Sequence, residues 1–134
     1  MARHCAGGYT GFDISADAVE YCRRSGLDAH LLGHDAIADV RVAEPAGWVL
    51  CLSVFTHMSR EERALYLAAF PRLAPRLLAD IIPGDGSGDA ARWTADETLY
   101  RKDLAAAGYT ALQWVGVTSP DGETHLYALA EVRP

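Results

Sequence analysis

The stretch Trp48 to Phe55, WVLCLSVF, restricts the architecture of this chain more than any other. Seven of its eight residues are apolar, the length suits one strand, and no alternation marks a wet face. Such a run is expected of a strand buried on both faces of a parallel sheet. Parallel strands need crossover connections, and the flanking sequence provides helices for them. Downstream, Ser59-Arg60-Glu61-Glu62 is a capping box, in which serine and glutamate satisfy each other's backbone donors. It opens a helix with Leu65, Ala68 and Ala69 on one stripe, which Pro71 ends or kinks. Leu77 to Ile82 reads as the next strand. Pro83 to Asp89, PGDGSGD, reads as a flexible segment too rich in glycine to hold regular structure without a ligand. Thr94-Ala95-Asp96-Glu97 is a second capping box, opening a helix that carries Leu99, Leu104 and Ala107 and stops at Gly108.

Upstream, Tyr9 to Ile14 is short and β-prone and runs into Ser15-Ala16-Asp17, where Ser15 suits a helix cap and Asp17 the first turn. That helix places Val19 and Cys22 on one face and ends at Ser25-Gly26. A second strand, Asp28 to Leu32, stops at Gly33. At the other end, Tyr109 to Val117 and Glu123 to Val132 are strands joined around Pro120-Asp121-Gly122, a turn set that makes an antiparallel hairpin. Alternating strands and helices closed by a hairpin predict an α/β fold, an open and mostly parallel sheet with an antiparallel edge.

The chain has 134 residues, half of them hydrophobic and 22% charged. That supports one domain over 1–134 with its own core and excludes intrinsic disorder. The net charge of −6 comes with basic residues spread along the chain, Lys102 being the only lysine, which excludes a dedicated nucleic-acid surface. Cys5, Cys22 and Cys51 are odd in number and show no C-x-x-C spacing, so neither a disulfide framework nor a zinc ribbon is expected. No stretch approaches the ~20 apolar residues of a membrane span, and Met1 to Gly8 lack the apolar core of a secretory signal. The chain reads as cytoplasmic.

Five pieces in order resemble the class I S-adenosylmethionine-dependent methyltransferases: GYTGFDIS (Gly8 to Ser15), GHDA (Gly33 to Ala36), WVLCLSVFTHM (Trp48 to Met58), LLADIIPGD (Leu77 to Asp85), and the closing helix and hairpin. The resemblance implies that Asp13 takes the ribose hydroxyls of S-adenosylmethionine and that Ile14 packs on adenine. It places Asp35, with Ala36 beside it, at the adenine amino group, and Ser53 below the cofactor. His57 falls on the substrate side as the general base, because histidine titrates near neutrality. Physical reasoning agrees, since ligands of open α/β sheets bind outside the carboxyl ends of the strands.

The family's first strand and its Gly-rich cofactor turn have no counterpart before Tyr9, where Ala2 to Ala6 resemble the tail of a first helix. The absent opening amounts to one βα unit. In the family that strand lies between the second and fourth, so its absence leaves a gap. Unpaired strand edges recruit partners, which leads us to expect a homodimer or a partner protein filling the sheet; a monomer by light scattering at micromolar concentration would count against it.

Each candidate also has a plainer reading. Asp13 is the type of acid that stabilises a helix start, Asp35 is suited to an ordinary turn, and Ser53 to bonding a neighbouring carbonyl. A buried Asp80 must be paired or neutralised, whether it faces substrate or sits at the wet end of its strand. Trp93 and Tyr100 suit an apolar substrate pocket or the core. His30 and His34 straddle a strand end, so no metal pair is expected. The leading expectation is methyl transfer to a small molecule. Cofactor-independent acid–base chemistry by His57 and Asp80 is the second, and a non-catalytic subunit that completes its sheet with a partner is the third.

Overall fold

The computed structural model describes residues 8–33, 36–42, 44–89 and 92–133. The chain forms two compact units, residues 1–39 and 40–134. In the first, β1 (Thr10–Asp13) pairs in parallel with β2 (Asp28–Leu31), Thr10 opposite Asp28. Between them α1 (Ala16–Arg24) begins at Ser15, whose hydroxyl accepts the Ala18 N–H. Asp17 in the first turn and Arg23 and Arg24 in the last complement the helix dipole. The helix stops before Gly26, whose φ of 77° no residue with a Cβ adopts cheaply. Val19 and Ala29 are buried between helix and sheet, and the Arg23 side chain donates to the Ala29 carbonyl.

The second unit centres on β4 (Arg76–Pro83). On one side β4 pairs antiparallel with β8 (Thr124–Val132), which pairs in turn with β7 (Tyr109–Thr118) as the expected hairpin. On the other side it meets two short parallel partners in succession: β3 (Val49–Cys51) along Leu77 to Ala79, and β6 (Arg92–Ala95) at Ile82 and Pro83. β5 (Gly88–Asp89) closes on β6. The sheet is therefore mixed, with parallel pairing at β3 and β6 and antiparallel pairing through the hairpin. Among the described strands β3 pairs only with β4, and β1 and β2 form a separate two-stranded sheet.

Residues paired across a sheet share a face. Leu77, Ala79 and Ile81 lie with Cys51, Ala128 and Ala130 on a face that is almost completely buried. Above it sit α2 (Arg60–Ala69) and α3 (Glu97–Ala106). Aromatic rings interlock around them: Phe55, after β3, stacks on Phe70, after α2, and the Tyr100 ring of α3 meets Phe55 and Trp114 of β7 edge to face. The opposite face, with Leu50, Leu78, Leu129 and Val115, is wetter; Leu50 and Val115 are exposed.

Several sequence expectations need correction. The Trp48–Phe55 strand shrinks to Val49–Cys51, because Ser53 turns into the left-handed region at φ 56° and Phe55–His57 coil into a 3-10 turn. The run is not buried on both faces either, since Trp48, Leu50 and Val54 are exposed. The buried stripe of α2 is Arg63, Tyr66, Leu67 and Ala69, and Leu65 is 51% exposed. Pro71 fits the end of that helix, where the chain tightens into a 3-10 turn over Phe70–Arg72. The Ser59–Glu62 capping box forms as expected, but α3 is capped by Asp96 rather than Thr94, because Thr94 is taken into β6. The glycine segment takes part in regular structure: Gly88–Asp89 form β5 against β6, Asp85 accepts from the Ser87 N–H, and Gly84 passes so close to Thr94 that a Cβ there would lie 2.5 Å from the threonine Cβ.

Candidate functional site

Asp80 is the one acidic side chain buried completely among the described residues. Alternation along β4 turns it to the wetter face, opposite Tyr127 of β8. A carboxylate there must have both oxygens satisfied. Oδ1 accepts the backbone N–H of Ser53 at 2.6 Å, and Oδ2 lies 2.7 Å from Nδ1 of His125. The other ring nitrogen of His125, Nε2, lies 2.8 Å from Glu123 Oε1. The His125 ring also stacks on Tyr127, with centroids 6.2 Å apart. Hydrogen bonding to Asp80, opposed in part by burial and reinforced by Glu123, raises the His125 pKa above the ordinary histidine value.

The Ser53 turn is held at both ends of its peptide. Its N–H goes to Asp80, and its carbonyl accepts the Thr56 hydroxyl at 3.1 Å. A serine in the left-handed region costs about 1 kcal/mol or more, and the charge-assisted bond to Asp80 offsets that cost. Beneath this turn the Cys51 thiol is pushed up by burial and by the nearby Asp80 charge, so it stays protonated.

His57 ends the 3-10 turn that follows Ser53 and is exposed, whereas Asp80 is engaged by Ser53 and His125. Trp93 on β6 and Tyr100 on α3 do come together, lining an open groove of about 310 Å³ with Arg60, Arg63, Asp85 and Asp103. One wall is the two-pronged Arg60–Asp103 pair, at 2.9 and 2.7 Å. Arg63 is buried, donates to the Met58 carbonyl at 2.9 Å, and has its pKa lowered by desolvation. Tyr100 is itself core: its ring is buried, its hydroxyl lacks a partner among the described residues, and burial keeps the phenol protonated.

In the first unit, Asp13 ends β1 with its carboxylate exposed; Oδ1 accepts the Ser15 N–H at 2.8 Å. That contact is the helix-start role, and it leaves Oδ2 without a partner among the described residues. Ile14 beside it is 50% exposed. Ala36 opens a 3-10 turn, Ala36–Asp39. Asp35 and His34 lie outside the described residues, and His30 is paired with Asp28 at 2.9 Å. Among the described residues no group of three or more His, Cys, Asp or Glu is placed to hold a metal ion, and no helix is long and apolar enough to cross a membrane.

Sequence reasoning missed His125 and Glu123. They stand two apart where the hairpin turn enters β8, His125 on the strand and Glu123 just before it, and period-two alternation puts His125 on one face with Tyr127. That signal was available in the sequence, but their meeting with Asp80 depends on the β4–β8 register.

No protein-family model and no curated protein matches the sequence. Solved structures do match. A 1,6-didemethyltoxoflavin-N1-methyltransferase from Burkholderia thailandensis, with 1,6-didemethyltoxoflavin and S-adenosylhomocysteine bound, superposes with a TM-score of 0.71 at 19% identity, over 93% of this chain and 61% of that one. The magnesium protoporphyrin IX methyltransferase of Synechocystis PCC 6803, with S-adenosylhomocysteine bound, gives 0.74 at 16% identity, over 97% and 66%. The [4+2]-cyclase SpnF gives 0.69 at 17% identity, over 98% and 68%. The chain thus spans about two thirds of the length of these structures, and its fold is that of the class I S-adenosylmethionine-dependent methyltransferases.

Proposed function

We propose that this chain binds S-adenosylmethionine and serves methyl transfer to a small molecule. The observation that carries the reading is Asp13, an exposed carboxylate at the carboxyl end of a parallel strand. One oxygen is fixed by the Ser15 N–H, and the other has no partner among the described residues. A carboxylate so held suits a pair of ribose hydroxyls, and the exposed Ile14 next to it suits the face of an adenine ring. Ala36, with Asp35, completes the adenine end of the reading.

When bound, the cofactor supplies an electrophilic methyl carbon. The chain's own part is to hold the acceptor in line and, for an oxygen acceptor, to take its proton. His57 is the base in this reading, and the groove lined by Trp93 and Tyr100 receives the acceptor. The experiment is a calorimetric titration with S-adenosylhomocysteine. We expect micromolar binding, weakened about tenfold or more in Asp13→Ala, the usual scale for hydrogen bonds to a charged group. Equal affinity in the two proteins would contradict the assignment of Asp13.

A second reading, acid–base chemistry without the cofactor, is favoured by one observation. Asp80 and His125 are a buried carboxylate and a histidine at 2.7 Å, where the pair expected from sequence was His57 and Asp80. Turnover of a substrate with no cofactor added would favour that reading, and strict dependence on the cofactor would exclude it.

A further inference from the structure

The contacts of His125 determine its protonation by geometry. Each ring nitrogen faces a carboxylate oxygen, Asp80 Oδ2 at 2.7 Å and Glu123 Oε1 at 2.8 Å. A neutral ring has one N–H and one lone pair, so it would set a lone pair against one of the two carboxylates. Only an imidazolium donates to both. The ring is mostly withdrawn from water, with 18% of its side chain exposed, and Asp80 is fully buried; an unpaired charge at such a depth is costly.

We propose that His125 is a positioning residue: as an imidazolium bridging Glu123 and Asp80, it holds the Asp80 carboxylate as the acceptor that fixes the strained Ser53 turn ahead of His57. The link to function rests on the reading of the Ser53–His57 loop as part of the site; the clamp does not depend on that reading. Asp80 and Ser53 lie 27 residues apart and Asp80 and His125 45 apart, so the clamp ties the loop after β3 to the closing hairpin through one carboxylate.

The titratable groups around the clamp are few among the described residues. Asp80 faces His125 from β4, Glu123 from the hairpin turn, and the Tyr127 ring from two positions along β8. The Cys51 thiol on β3 and the Tyr100 phenol on α3 lie within electrostatic range of Asp80, and burial keeps both neutral. His125 is therefore the member whose charge changes on titration. Its pKa is raised in the folded state. The stability it contributes is fully present below the unfolded histidine value of about 6.5 and is lost as the pH rises through the folded value. On losing its proton the ring keeps one N–H. The contact to Glu123, the less buried of the two carboxylates, is the one released, and the Ser53–Asp80 bond loses the cation that supported it.

The test is nuclear magnetic resonance of the protein without cofactor, so that a failure of the clamp and a failure of cofactor binding are read separately. Across a titration from pH 5.5 to 9.5, we expect the His125 ring to titrate above the ordinary histidine value and the Ser53 amide proton to shift with the same midpoint. In Glu123→Gln the midpoint moves down toward that of a free histidine. In His125→Gln the pH response of Ser53 disappears and its amide exchanges with solvent about tenfold faster, the difference between a charge-assisted and an ordinary hydrogen bond. An ordinary His125 midpoint, a Ser53 amide indifferent to it, or unchanged Ser53 exchange in His125→Gln would each overturn the proposal.

Discussion

Asp80→Ala is expected to destabilise the second unit by about 3–5 kcal/mol, the range for removing one partner of a buried ion pair. Three losses combine. The His125 ring keeps Glu123 but loses its buried acceptor, the Ser53 N–H loses the carboxylate at 2.6 Å, and the left-handed Ser53 backbone keeps its strain with nothing to offset it. A buried donor left without an acceptor costs roughly 1–3 kcal/mol by itself. Asp80→Asn retains an acceptor for Ser53 and should cost less than Asp80→Ala. The measurement is urea unfolding of the three proteins at pH 7. A cost below 1 kcal/mol for Asp80→Ala would mean that the carboxylate is not what holds the turn.

Phe55→Ala is expected to be comparably severe, at about 3–5 kcal/mol, because the side chain is fully buried and truncation leaves a cavity that its neighbours fill only partly. Phe55 stacks on Phe70 at 6.2 Å and takes the edge of Tyr100 at 6.1 Å. It is thus the joint between the loop after β3, the end of α2 and the middle of α3. Leu65→Ala is the matched control: Leu65 belongs to the stripe expected from sequence, yet it points to solvent, and exposed substitutions stay within about 0.5 kcal/mol. The same unfolding assay separates the two. Equal costs for Phe55 and Leu65 would contradict the packing described for α2.

The contrast between these positions shows what the sequence made legible. Local chemistry was readable where one short stretch decides the outcome: the Ser59–Glu62 capping box, the Ser15 cap, the stop at Gly26 and the Pro120–Gly122 hairpin turn all form where the residues indicate. The strand at Trp48–Phe55 was readable in place but not in length, because composition does not record that Ser53 leaves the sheet to meet Asp80. The stripe of α2 was read correctly at Ala69 but not at Leu65 and Ala68, which are exposed. Arg63 and Tyr66 are polar by type, and they are buried because a carbonyl and an aromatic cluster receive them. Asp80 was recognisable as a carboxylate in need of a partner. Its partner was not, since His125 reaches it only through strand register, over a separation that no local pattern encodes.

The positions of the candidate cofactor residues were legible for a different reason. Asp13 and Ile14 stand at the end of a parallel strand, where a sheet of this class presents its ligand-facing side chains, and both are exposed.

The most direct test of methyl-donor binding is a backbone amide map of the protein titrated with S-adenosylhomocysteine. The account predicts that the amides of Asp13, Ile14 and Ala36 move progressively and saturate at micromolar ligand. An unchanged spectrum at millimolar ligand, or shifts that leave those three residues untouched, would contradict it.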